Sequence, residues 1–410
     1  AMDPDFVIVD EPAAQLDPHN ARQTYEQLRH IQRDTGVGVI VIEHHTEFIA
    51  DYCDRLVMVA DGDVAWSEPV GAGLNRIDEL LDADIHPPQV TQIARELPGT
   101  HGTLPNGRYP VTVDEAVDAF PTATGKASRQ AAPDGRGAGE ALVSVRDVTH
   151  GYPTLREGRK TVLDALDLEL YSDDRVALVG ANGAGKSTLL RLLTGLESPD
   201  EGTVTVLGND TNGTLPEELA DETVYIHQNP EEMFVEETVR DDIAYYLESR
   251  DDPDVDERVD DVITFLDLGD IADRDGRLLS VGQQRRASLA IGLATDPTIV
   301  LLDEPTGSLD LQSRREVTRM LSRSVSRTET VVVATHDLQL VAEWADRVVV
   351  LGPDGILADE TAQSVFDQPE LLSQAHLRPP QVVELSDRLG IDPPALTTAD
   401  IVERLPGEVD

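Results

Sequence analysis

The sequence contains little cysteine, little lysine and few aromatic residues, and each scarcity narrows what the protein can be. A single cysteine, Cys53, among 410 residues excludes a disulfide framework within one chain and a metal cluster built from several cysteines. We interpret it as a buried thiol without a chemical role. Only Lys126, Lys160 and Lys186 are lysines, so nearly all basic residues are arginines, and aromatic residues make up 4% of the chain.

Long hydrophobic runs are also missing. No run approaches the roughly 18 apolar residues of a membrane-spanning helix, and no charged segment followed by an apolar one opens the chain as in a signal peptide. Apolar residues nevertheless make up 40% of the sequence, enough for globular cores, and 410 residues are many for a single core. We expect a water-soluble protein of two or more domains that meets a membrane only through a partner.

Positive charge is scarce, because 33 basic residues stand against 78 acidic ones and the net charge is −45. This excess disfavours nucleic acid as a partner, since phosphate backbones attract basic surfaces. An acidic excess can indicate disorder, but the ordered alternation of strand and helix patterns argues against that interpretation. We favour adaptation to molar salt, in which the Debye length falls to about 3 Å and repulsion between surface carboxylates is screened.

The chain contains an internal repeat of whole-domain size. Segments of its first part recur about 292 residues later, far beyond the period of solenoid repeats. The matching pairs are AMDPDFVIVDEPAAQLDP (1–18) with ATDPTIVLLDEPTGSLDL (294–311), VIEHHTEFIADYCDRLVMV (41–59) with VATHDLQLVAEWADRVVVL (333–351), and HPPQV (86–90) with RPPQV (378–382). Four polar residues of the first copy, Asp10, Glu11, Asp17 and His44, thereby align with Asp303, Glu304, Asp310 and His336 of the second.

The two copies are not equally complete. Only nine residues precede Asp10, and the pattern at Phe6–Val9 is that of a central buried strand whose neighbours are absent. We therefore expect the first copy to be the C-terminal part of a domain from a longer tandem protein. The predicted organisation is a partial first domain (1–85), its C-terminal extension (86–120), a flexible Pro-, Gly- and Ala-rich linker (121–140), a complete second domain (141–372) and its extension (373–410).

Strand-like apolar stretches recur through the second copy, with helical patterns between several of them, which predicts a parallel α/β sheet. These stretches are Leu142–Val145, Val176–Val179, Thr203–Leu207, Val224–Ile226, Ile299–Leu302, Val331–Ala334 and Arg347–Leu351. Val255, Val259, Val262, Ile263 and Leu266 recur at helical spacing with acidic residues between them. This second pattern predicts one amphipathic helix with a solvated face.

The stretch GANGAGKST lies between an apolar run and a leucine-rich segment, so it predicts strand, glycine loop and helix. Its glycines let successive backbone N–H groups point at one anion, and the start of the helix adds its positive dipole end. Lys186 supplies a mobile charge for the β- and γ-phosphates, and the Ser187 hydroxyl is placed to ligate Mg²⁺. An ordinary glycine-rich turn is the alternative. The residues predicted to bind a nucleotide are Gly180, Asn182, Gly183, Ala184, Gly185, Lys186, Ser187 and Thr188.

The stretch TIVLLDEP, Thr298–Pro305, is an apolar strand that ends in two carboxylates. A buried parallel strand delivers its last residues to the carboxyl edge of the sheet, where the glycine loop also lies. Asp303 is suited to hold Mg²⁺, and Glu304 is suited to polarise an attacking water. An acidic turn after a strand is common in isolation, but the glycine loop upstream favours the catalytic interpretation.

The segment LLSVGQQRR, Leu278–Arg286, comes shortly before that strand and resembles the LSGGQ signature of ABC-type ATPases, with Val281 in place of the first glycine. In that family, the serine and glycine of the signature cap the γ-phosphate held by the opposite domain. Ser280, Gly282 and Gln283 are the matching residues here. The resemblance covers residues 141–366 and, in the first copy, residues 1–81.

The resemblance implies an α/β fold of the P-loop ABC ATPase type with a helical signature subdomain, in one partial and one complete copy. It implies an ATPase that uses ATP and Mg²⁺ and whose sites are completed by a second ABC ATPase domain. The implied roles are adenine stacking for Tyr152, contact with Mg²⁺ and water for Gln228, Mg²⁺ binding for Asp303, the general base for Glu304, the D-loop aspartate for Asp310 and γ-phosphate sensing for His336. A core tyrosine and a structural histidine are the alternatives at positions 152 and 336.

The segment QNPEEMFVEETVRDDIAYYL, Gln228–Leu247, is similar to the Q-loop region of ATPases from energy-coupling-factor importers of vitamins and metal ions. The PPQV tails resemble the C-terminal extensions with which those ATPases pair. This implies a peripheral protein on the cytoplasmic face of the membrane that powers import through transmembrane coupling and substrate-binding subunits. Met233, Phe234 and Val235 would then lie near the groove for a coupling helix, with a place in the core as the alternative.

Two other classes of ABC protein are possible on the motifs alone. A tandem ABC protein that acts on ribosomes usually carries a basic arm between its domains, whereas the linker here is short and nearly neutral. A DNA-repair ABC protein needs a long heptad coiled coil, and no heptad pattern lies between Lys186 and Asp303. Co-purification with a membrane partner would indicate transport, and co-purification with ribosomes would indicate a ribosomal function.

Overall fold

The structure is a computed structural model that describes residues 4–13, 16–60, 62–98, 102–121, 139–154, 158–248, 252–307, 309, 311–353 and 355–405. The chain divides into two compact units. Unit one comprises Ala1–Ala131, Phe366–Leu372 and Leu377–Asp410, and unit two comprises Ala132–Val365 and Ser373–His376. Most of the linker predicted over 121–140 and the aspartate predicted for the D-loop, Asp310, lie outside the described residues.

The strands and helices alternate along much of the chain. The strands are β1 (Phe6–Asp10), β2 (Gly38–Ile42), β3 (Arg55–Ala60), β4 (Asp63–Pro69), β5 (Ala141–Thr154), β6 (Gly158–Tyr171), β7 (Arg175–Val179), β8 (Glu201–Val206), β9 (Asn209–Asp210), β10 (Thr223–Ile226), β11 (Ile299–Asp303), β12 (Thr330–Thr335), β13 (Arg347–Gly352) and β14 (Gly355–Thr361). The helices of the first part are α1 (Pro18–Thr35), α2 (Thr46–Tyr52), α3 (Val70–Gly73), α4 (Ile77–Asp82), α5 (Gln89–Glu96) and α6 (Val113–Ala119).

The remaining helices are α7 (Lys186–Leu193), α8 (Pro216–Leu219), α9 (Val239–Glu248), α10 (Val255–Phe265), α11 (Val281–Leu293), α12 (Leu311–Ser324), α13 (Leu338–Trp344), α14 (Ala362–Phe366), α15 (Pro369–Gln374), α16 (Gln381–Leu389) and α17 (Thr398–Arg404), with short 3₁₀ turns at Pro230–Met233 and Gly276–Leu278. Among the described residues, no helix has both the length and the apolar character needed to cross a bilayer.

Six strands of unit two form one sheet in the order β10-β11-β12-β7-β13-β14. Neighbouring strands run parallel, except that β14 is antiparallel to β13. β11, β12 and β13 are buried along their whole length, as expected for central strands of a parallel sheet. The register places Val179 beside Thr335 and Asp303 beside Ala334. The glycine loop, the carboxylates and the histidine that follow these strands therefore leave the sheet at one edge.

A second sheet, with the antiparallel order β6-β5-β8-β9, completes the strand structure of unit two. The sequence prediction of a parallel sheet alone missed this sheet and also missed β14. The physical reason is that β5 and β6 pair through several register shifts, so the two-residue alternation that marks a strand is interrupted along both. β5 contains Tyr152 near its end, whereas only Leu142–Val145 was predicted as a strand there.

The helices of unit two that lie between β10 and β11 pack in an apolar core that also includes residues of β11, β12, α12 and α13. α9, α10 and α11 pack together in this core, and α10 confirms the helix predicted from its apolar spacing. Met233 and Phe234 of the apolar trio are buried in this core, which confirms for these two residues the alternative of a place in the core. A Cβ at position 276 would lie 2.3 Å from the Phe234 ring, so Gly276 makes room for it. Only Val235 is exposed.

Unit one begins with a succession of elements that also occurs in unit two. The first repeat segment (6–69) runs β1-α1-β2-α2-β3-β4, and the second repeat segment (299–361) runs β11-α12-β12-α13-β13-β14. In both segments the first two strands pair in parallel and the last two pair antiparallel. The repeat found in the sequence is therefore also a repeat of local structure.

The rest of unit one contains both PPQV tails, which pack on each other. The Gln89 Oε1 atom accepts a hydrogen bond of 3.1 Å from the Val382 N–H, and the Gln381 Oε1 atom accepts one of 3.4 Å from the Val90 N–H. Both glutamine side chains are buried. α6 contacts α16, and α5 contacts α17. The two tails thus exchange equivalent contacts, as two copies of one motif do across a two-fold axis.

Candidate active site

The glycine loop leaves the end of β7 and leads into α7. Gly183 and Gly185 have φ values of 84° and 98°, in the left-handed region that residues with a Cβ rarely adopt. A Cβ at position 185 would also lie 2.6 Å from the Leu163 Cδ2 atom. The glycines thus let the backbone turn tightly at the N-terminus of α7, where unsatisfied N–H groups and the helix dipole favour an anion.

Lys186 lies at the first position of α7 and is only 6% exposed. Its Nζ atom donates hydrogen bonds to the carbonyl oxygens of Gly180 and Ala181 at 2.8 and 3.3 Å. It also lies 3.7 Å from the Glu304 Oε1 atom. The lysine therefore spans the loop with its charge directed at the carboxyl edge of the sheet, where the phosphates of a nucleotide would lie.

Asp303 and Glu304 follow the buried strand β11, as the sequence predicted. The Asp303 Oδ2 atom accepts a hydrogen bond of 2.9 Å from the Tyr225 hydroxyl, and its Oδ1 atom is buried without a hydrogen-bond partner among the described residues. A buried carboxylate oxygen without a partner is costly, and a divalent cation would satisfy it. Asp303 and the Ser187 hydroxyl are oxygen donors of the kind that Mg²⁺ prefers, so the residues present fit this ion.

Glu304 lies at the centre of a hydrogen-bonded cluster. Its Oε1 atom lies 2.8 Å from His336 Nδ1, and its Oε2 atom accepts hydrogen bonds from the Thr335 hydroxyl at 3.0 Å and the His336 N–H at 3.4 Å. Its φ of 47° is unusual for a residue with a Cβ. Strained backbone of this kind persists where the surrounding structure holds it and is concentrated at functional sites.

The pKa values of this pair shift in opposite directions. Burial raises the pKa of the Glu304 carboxyl, but the His336 hydrogen bond and charge and the Lys186 charge outweigh it, so the pKa lies below its ordinary 4.5. Burial lowers the pKa of His336, but the hydrogen bond and charge of Glu304 raise it above its ordinary 6.5. Glu304 is therefore ionised at neutral pH, as a general base must be.

The loop that carries His336 is fixed by Asp337. This carboxylate caps the start of α13 by accepting hydrogen bonds from the Gln339 and Leu340 N–H groups. It also accepts one from the Arg314 Nε–H at 2.6 Å and one from the Thr306 hydroxyl at 2.8 Å. Burial raises the pKa of Asp337, but the Arg314 charge outweighs it and holds the pKa below its ordinary value.

Tyr152 and Gln228 lie at the margins of this cluster. The Tyr152 hydroxyl lies 3.1 Å from the Thr188 hydroxyl and donates to the Glu197 Oε2 atom at 2.6 Å. Its ring is therefore held beside the first turn of α7, where an aromatic ring could contact a base. Gln228 is exposed two residues beyond the end of β10, and β10 pairs with β11, the strand that carries Asp303.

The signature residues lie at the N-terminus of α11. Ser280 is the N-cap, and it forms a reciprocal capping box with Gln283, with hydrogen bonds of 3.3 and 3.2 Å. Gly282 allows a close approach, because a Cβ there would lie 2.2 Å from the Ser313 hydroxyl. The serine and glycine thus stand at a helix N-terminus, which is the anion-binding geometry that the motif requires.

The first repeat segment brings some of its matching residues together. His44 Nδ1 lies 3.3 Å from the Glu11 Oε1 atom, as His336 lies near Glu304. Glu11, too, has a positive φ, 40°. Asp10 is exposed, whereas Asp17 is buried and caps α1 by accepting the Asn20 N–H at 2.9 Å.

Three further residues of the site were missed by the sequence analysis. Tyr225 holds Asp303, Thr335 donates to Glu304, and Arg285 donates to the His227 carbonyl oxygen at 2.9 Å. Burial lowers the pKa of Arg285 to about 10. Arg285 follows the signature glutamines and Thr335 precedes the histidine, so both stood inside recognised motifs. Tyr225 lies within a short apolar strand, and nothing in that sequence pattern indicates a role in the site.

Comparison with known proteins agrees with this geometry. A model of the family described as "ABC transporter" matches residues 163–307. An ABC transporter ATP-binding protein of Methanosarcina mazei is 28% identical over 415 residues, covering 99% of this chain and 69% of the relative. One from Vibrio vulnificus is 30% identical over 406 residues, covering 95% of this chain and 67% of the relative.

A solved structure shares the fold. It is cbiO1 from Clostridium perfringens, described as part of the ABC transporter complex cbiONQ. The TM-score is 0.51 at 22% identity, and the match covers 60% of this chain and 99% of that protein. At this identity, the likeness supports the fold alone.

Proposed function

The chain belongs to the ABC transporter family of ATP-binding proteins and is an ATPase, and from this premise we propose that it powers import of a small solute through a membrane partner. The solute class that its sequence motifs favour is a vitamin or a metal ion. The observation that carries the ATPase part of the proposal is the convergence of Lys186 and His336 on the Glu304 carboxylate, at 3.7 and 2.8 Å.

We assign the hydrolytic roles to these residues as follows. Lys186, with the backbone N–H groups from Gly180 to Thr188, binds the phosphates of ATP. Glu304 accepts a proton from the water that attacks the γ-phosphorus, while the bond from phosphorus to the β–γ bridging oxygen breaks and ADP leaves. His336 holds the carboxylate in place and, in this assignment, senses the γ-phosphate. Ser187, Gln228 and Asp303 would hold Mg²⁺, which would supply neutralisation of the phosphate charge.

The proposed architecture is a tandem of two ABC ATPase copies, partial over 1–85 and complete over 141–372, each followed by its own extension. The support is the common element order of the two repeat segments and the contacts between the two tails. Each signature, here Ser280, Gly282 and Gln283, would cap a nucleotide held by a facing domain. Asp10, Glu11, Asp17 and His44 would serve the site of the first copy.

The proposed partner is an importer of the energy-coupling-factor type, with the ATPase bound peripherally at the cytoplasmic face of the membrane. The support is the Gln228–Leu247 segment and the PPQV tails. The Clostridium protein of the same fold is part of a transporter complex, which is the kind of assembly that we propose here. Val235, exposed just after the 3₁₀ turn, is the member of the predicted apolar trio that remains available to such a partner.

Co-purification tests the import proposal against a ribosomal role. We expect the tagged chain, expressed in a host that carries its neighbouring genes, to bring down integral-membrane subunits after detergent extraction. Val235→Asp should weaken that association, whereas Val64→Asp, at a site of similar exposure in unit one, should leave it intact. Recovery of ribosomal subunits without membrane subunits would contradict import and support the alternative.

We further propose a high-salt intracellular environment, supported by the net charge of −45. Repulsion among surface carboxylates destabilises a compact state at low ionic strength and is screened at molar salt. The melting temperature, followed by circular dichroism, should therefore rise through a KCl series. A melting temperature that stays constant or falls with KCl would contradict this origin.

A further inference from the structure

Three potential metal ligands lie together where β2 leads into α2. Glu43, His44 and His45 each offer one ligand atom, and these atoms all lie within 4.8 Å of one another. The zinc–nitrogen distance is about 2.0–2.1 Å, so two donors on one ion can be at most about 4 Å apart. Small rotations of the side chains would close the difference.

The carboxylate of this cluster is held in place. Glu43 Oε1 accepts hydrogen bonds from the N–H groups of His44 and His45 at 2.9 and 3.0 Å, and Glu43 Oε2 accepts one of 2.5 Å from the Tyr25 hydroxyl. The Tyr25 ring in turn stacks on Phe48 and Tyr52. Because an ionised carboxylate has about four acceptor positions, one remains for a cation.

The orientation of His44 also suits a metal ligand. Its Nδ1 atom lies 3.3 Å from the Glu11 Oε1 atom, and its Nε2 atom is buried without a hydrogen-bond partner among the residues that the structure describes. Metal-binding histidines almost always donate their second ring N–H to a carboxylate or carbonyl oxygen. The His45 ring lies beside it, with 4.3 Å between the ring centroids.

The second repeat segment provides a natural contrast at the same place. There the residues are Thr335, His336 and Asp337, of which the threonine donates to Glu304 and the aspartate binds Arg314. The first segment has Ala21 at the position of Arg314. The arginine that holds Asp337 therefore has no arginine counterpart at the matching position of the first segment, and the pair of adjacent histidines occurs in the first segment alone.

We propose that Glu43, His44 and His45 bind a transition-metal cation of the Zn²⁺, Co²⁺ or Ni²⁺ class. Two imidazoles and one carboxylate suit these ions, whereas Mg²⁺ and Ca²⁺ prefer oxygen donors. Three protein ligands leave a position open for water or another donor. Metal on His44 would withdraw its imidazole from a nucleotide. This consequence for regulation rests on the proposed function, but the metal site itself does not.

Binding of Co²⁺ alone to the full chain tests the site. After removal of any purification tag and treatment with chelator, equilibrium dialysis should find one Co²⁺ per chain at micromolar free metal, with visible absorption bands that Zn²⁺ abolishes. His45→Ala and His44→Ala, which each remove one donor, should each weaken binding at least about tenfold. His30→Ala is the matched control, since His30 faces Asp34 on the exposed side of α1, and it should bind as the wild type does.

Circular dichroism of each variant separates loss of a ligand from loss of fold, and His45→Phe, which keeps a ring of similar shape without a donor atom, gives a second variant if His45→Ala unfolds. Binding that His45→Ala and His44→Ala leave unchanged would overturn the proposal. Absence of bound Co²⁺ at 0.1 mM free metal (a threshold of about 5.5 kcal/mol of binding free energy) would do the same. Neither outcome depends on ATP hydrolysis, so failure of the metal-site proposal would leave the proposed function uncontradicted.

Discussion

The two repeat segments have the same order of strands and helices but very different environments. Ile8 of β1 is 68% exposed, whereas its match in β11, Leu301, is fully buried. In unit two, β7 pairs with both β12 and β13, and β10 pairs with β11. In the described part of unit one, β1 and β2 form one two-stranded sheet and β3 and β4 another. A similar sequence pattern thus encodes similar strands, whereas the burial of those strands depends on which other strands pair beside them.

The same difference extends to chemistry. In unit two, Glu304 has a histidine, a threonine and a lysine within reach. In unit one, Glu11 is exposed and has His44 nearby at 3.3 Å. Two glutamates with the same unusual backbone conformation therefore differ in how firmly they are held. Glu304 is the one that we expect to act as the general base in this chain.

Paired substitutions of the two glutamates should produce the largest contrast. Glu304→Gln should slow ATP hydrolysis by about 10²–10⁴, because an amide cannot accept the proton of the attacking water. Glu11→Gln should leave hydrolysis at this site unchanged. Phosphate release at saturating ATP measures both, at protein concentrations high enough for chains to face one another. A loss of hydrolysis rate below tenfold for Glu304→Gln would contradict the role of Glu304 as the general base.

Two equivalent arginines should differ strongly in their contribution to stability. Arg347 of β13 is buried and donates to Asp359 at 2.7 and 2.8 Å and to Asp174 at 2.7 Å, whereas Arg55 of β3 donates to Ser67 near the surface. Arg347→Ala should cost about 3–5 kcal/mol of unfolding free energy, since it leaves buried carboxylates unpaired. Arg55→Ala should change it by less than about 0.5 kcal/mol.

Tryptophan fluorescence during urea unfolding can report each arginine separately. The chain has two tryptophans, of which Trp66 lies in unit one and Trp344 in unit two. Arg347→Ala is therefore read in a Trp66→Phe background and Arg55→Ala in a Trp344→Phe background, each against its own parent. Equal losses for the two arginines would show that burial does not set their contributions.

A smaller contrast concerns pH and the two histidines. The raised pKa of His336 contributes stability that is fully present below pH 6.5 and is lost as pH rises through the folded-state pKa. The lowered pKa of Glu304 contributes stability that is present above pH 4.5 and is lost as pH falls through its own folded-state pKa. The pair is thus most stabilising in the mildly acidic range between them.

His336→Gln should accordingly cost about 2 kcal/mol near pH 6 and less at pH 9. His44→Gln should cost less unfolding free energy than His336→Gln at pH 6, because His44 and Glu11 are both more exposed than His336 and Glu304. Urea unfolding at the two pH values measures both variants. A cost of His336→Gln that is the same at pH 6 and pH 9 would contradict the charged pairing of His336 with Glu304.

Sequence alone predicted the parts of the site that depend on local pattern. The strand, glycine loop and helix around Lys186 were predicted, as were the strand that ends at Asp303 and the histidine after β12, because each combines an apolar run with polar residues at its end. The long antiparallel pair β5 and β6 was not predicted, since its register shifts interrupt the alternation.

Contacts between distant residues could not be predicted either. Tyr225 reaches Asp303 across 78 positions of sequence, and Phe234 turns into the core because Gly276 leaves space for its ring. Neither outcome is encoded in the residues next to Tyr225 or Phe234. Both depend on which strands and turns the sheet and the helical core bring side by side.

The central claim is that the glycine loop around Lys186 binds ATP, and calorimetric titration of ATP with Mg²⁺ tests it most directly. The wild-type chain should bind ATP, and Lys186→Ala should lose at least about thirtyfold in affinity, the factor that corresponds to about 2 kcal/mol for a buried charge contact. Lys126→Ala, in the Pro- and Ala-rich stretch between the copies, should bind as the wild type does. An affinity that Lys186→Ala leaves unchanged would contradict the account.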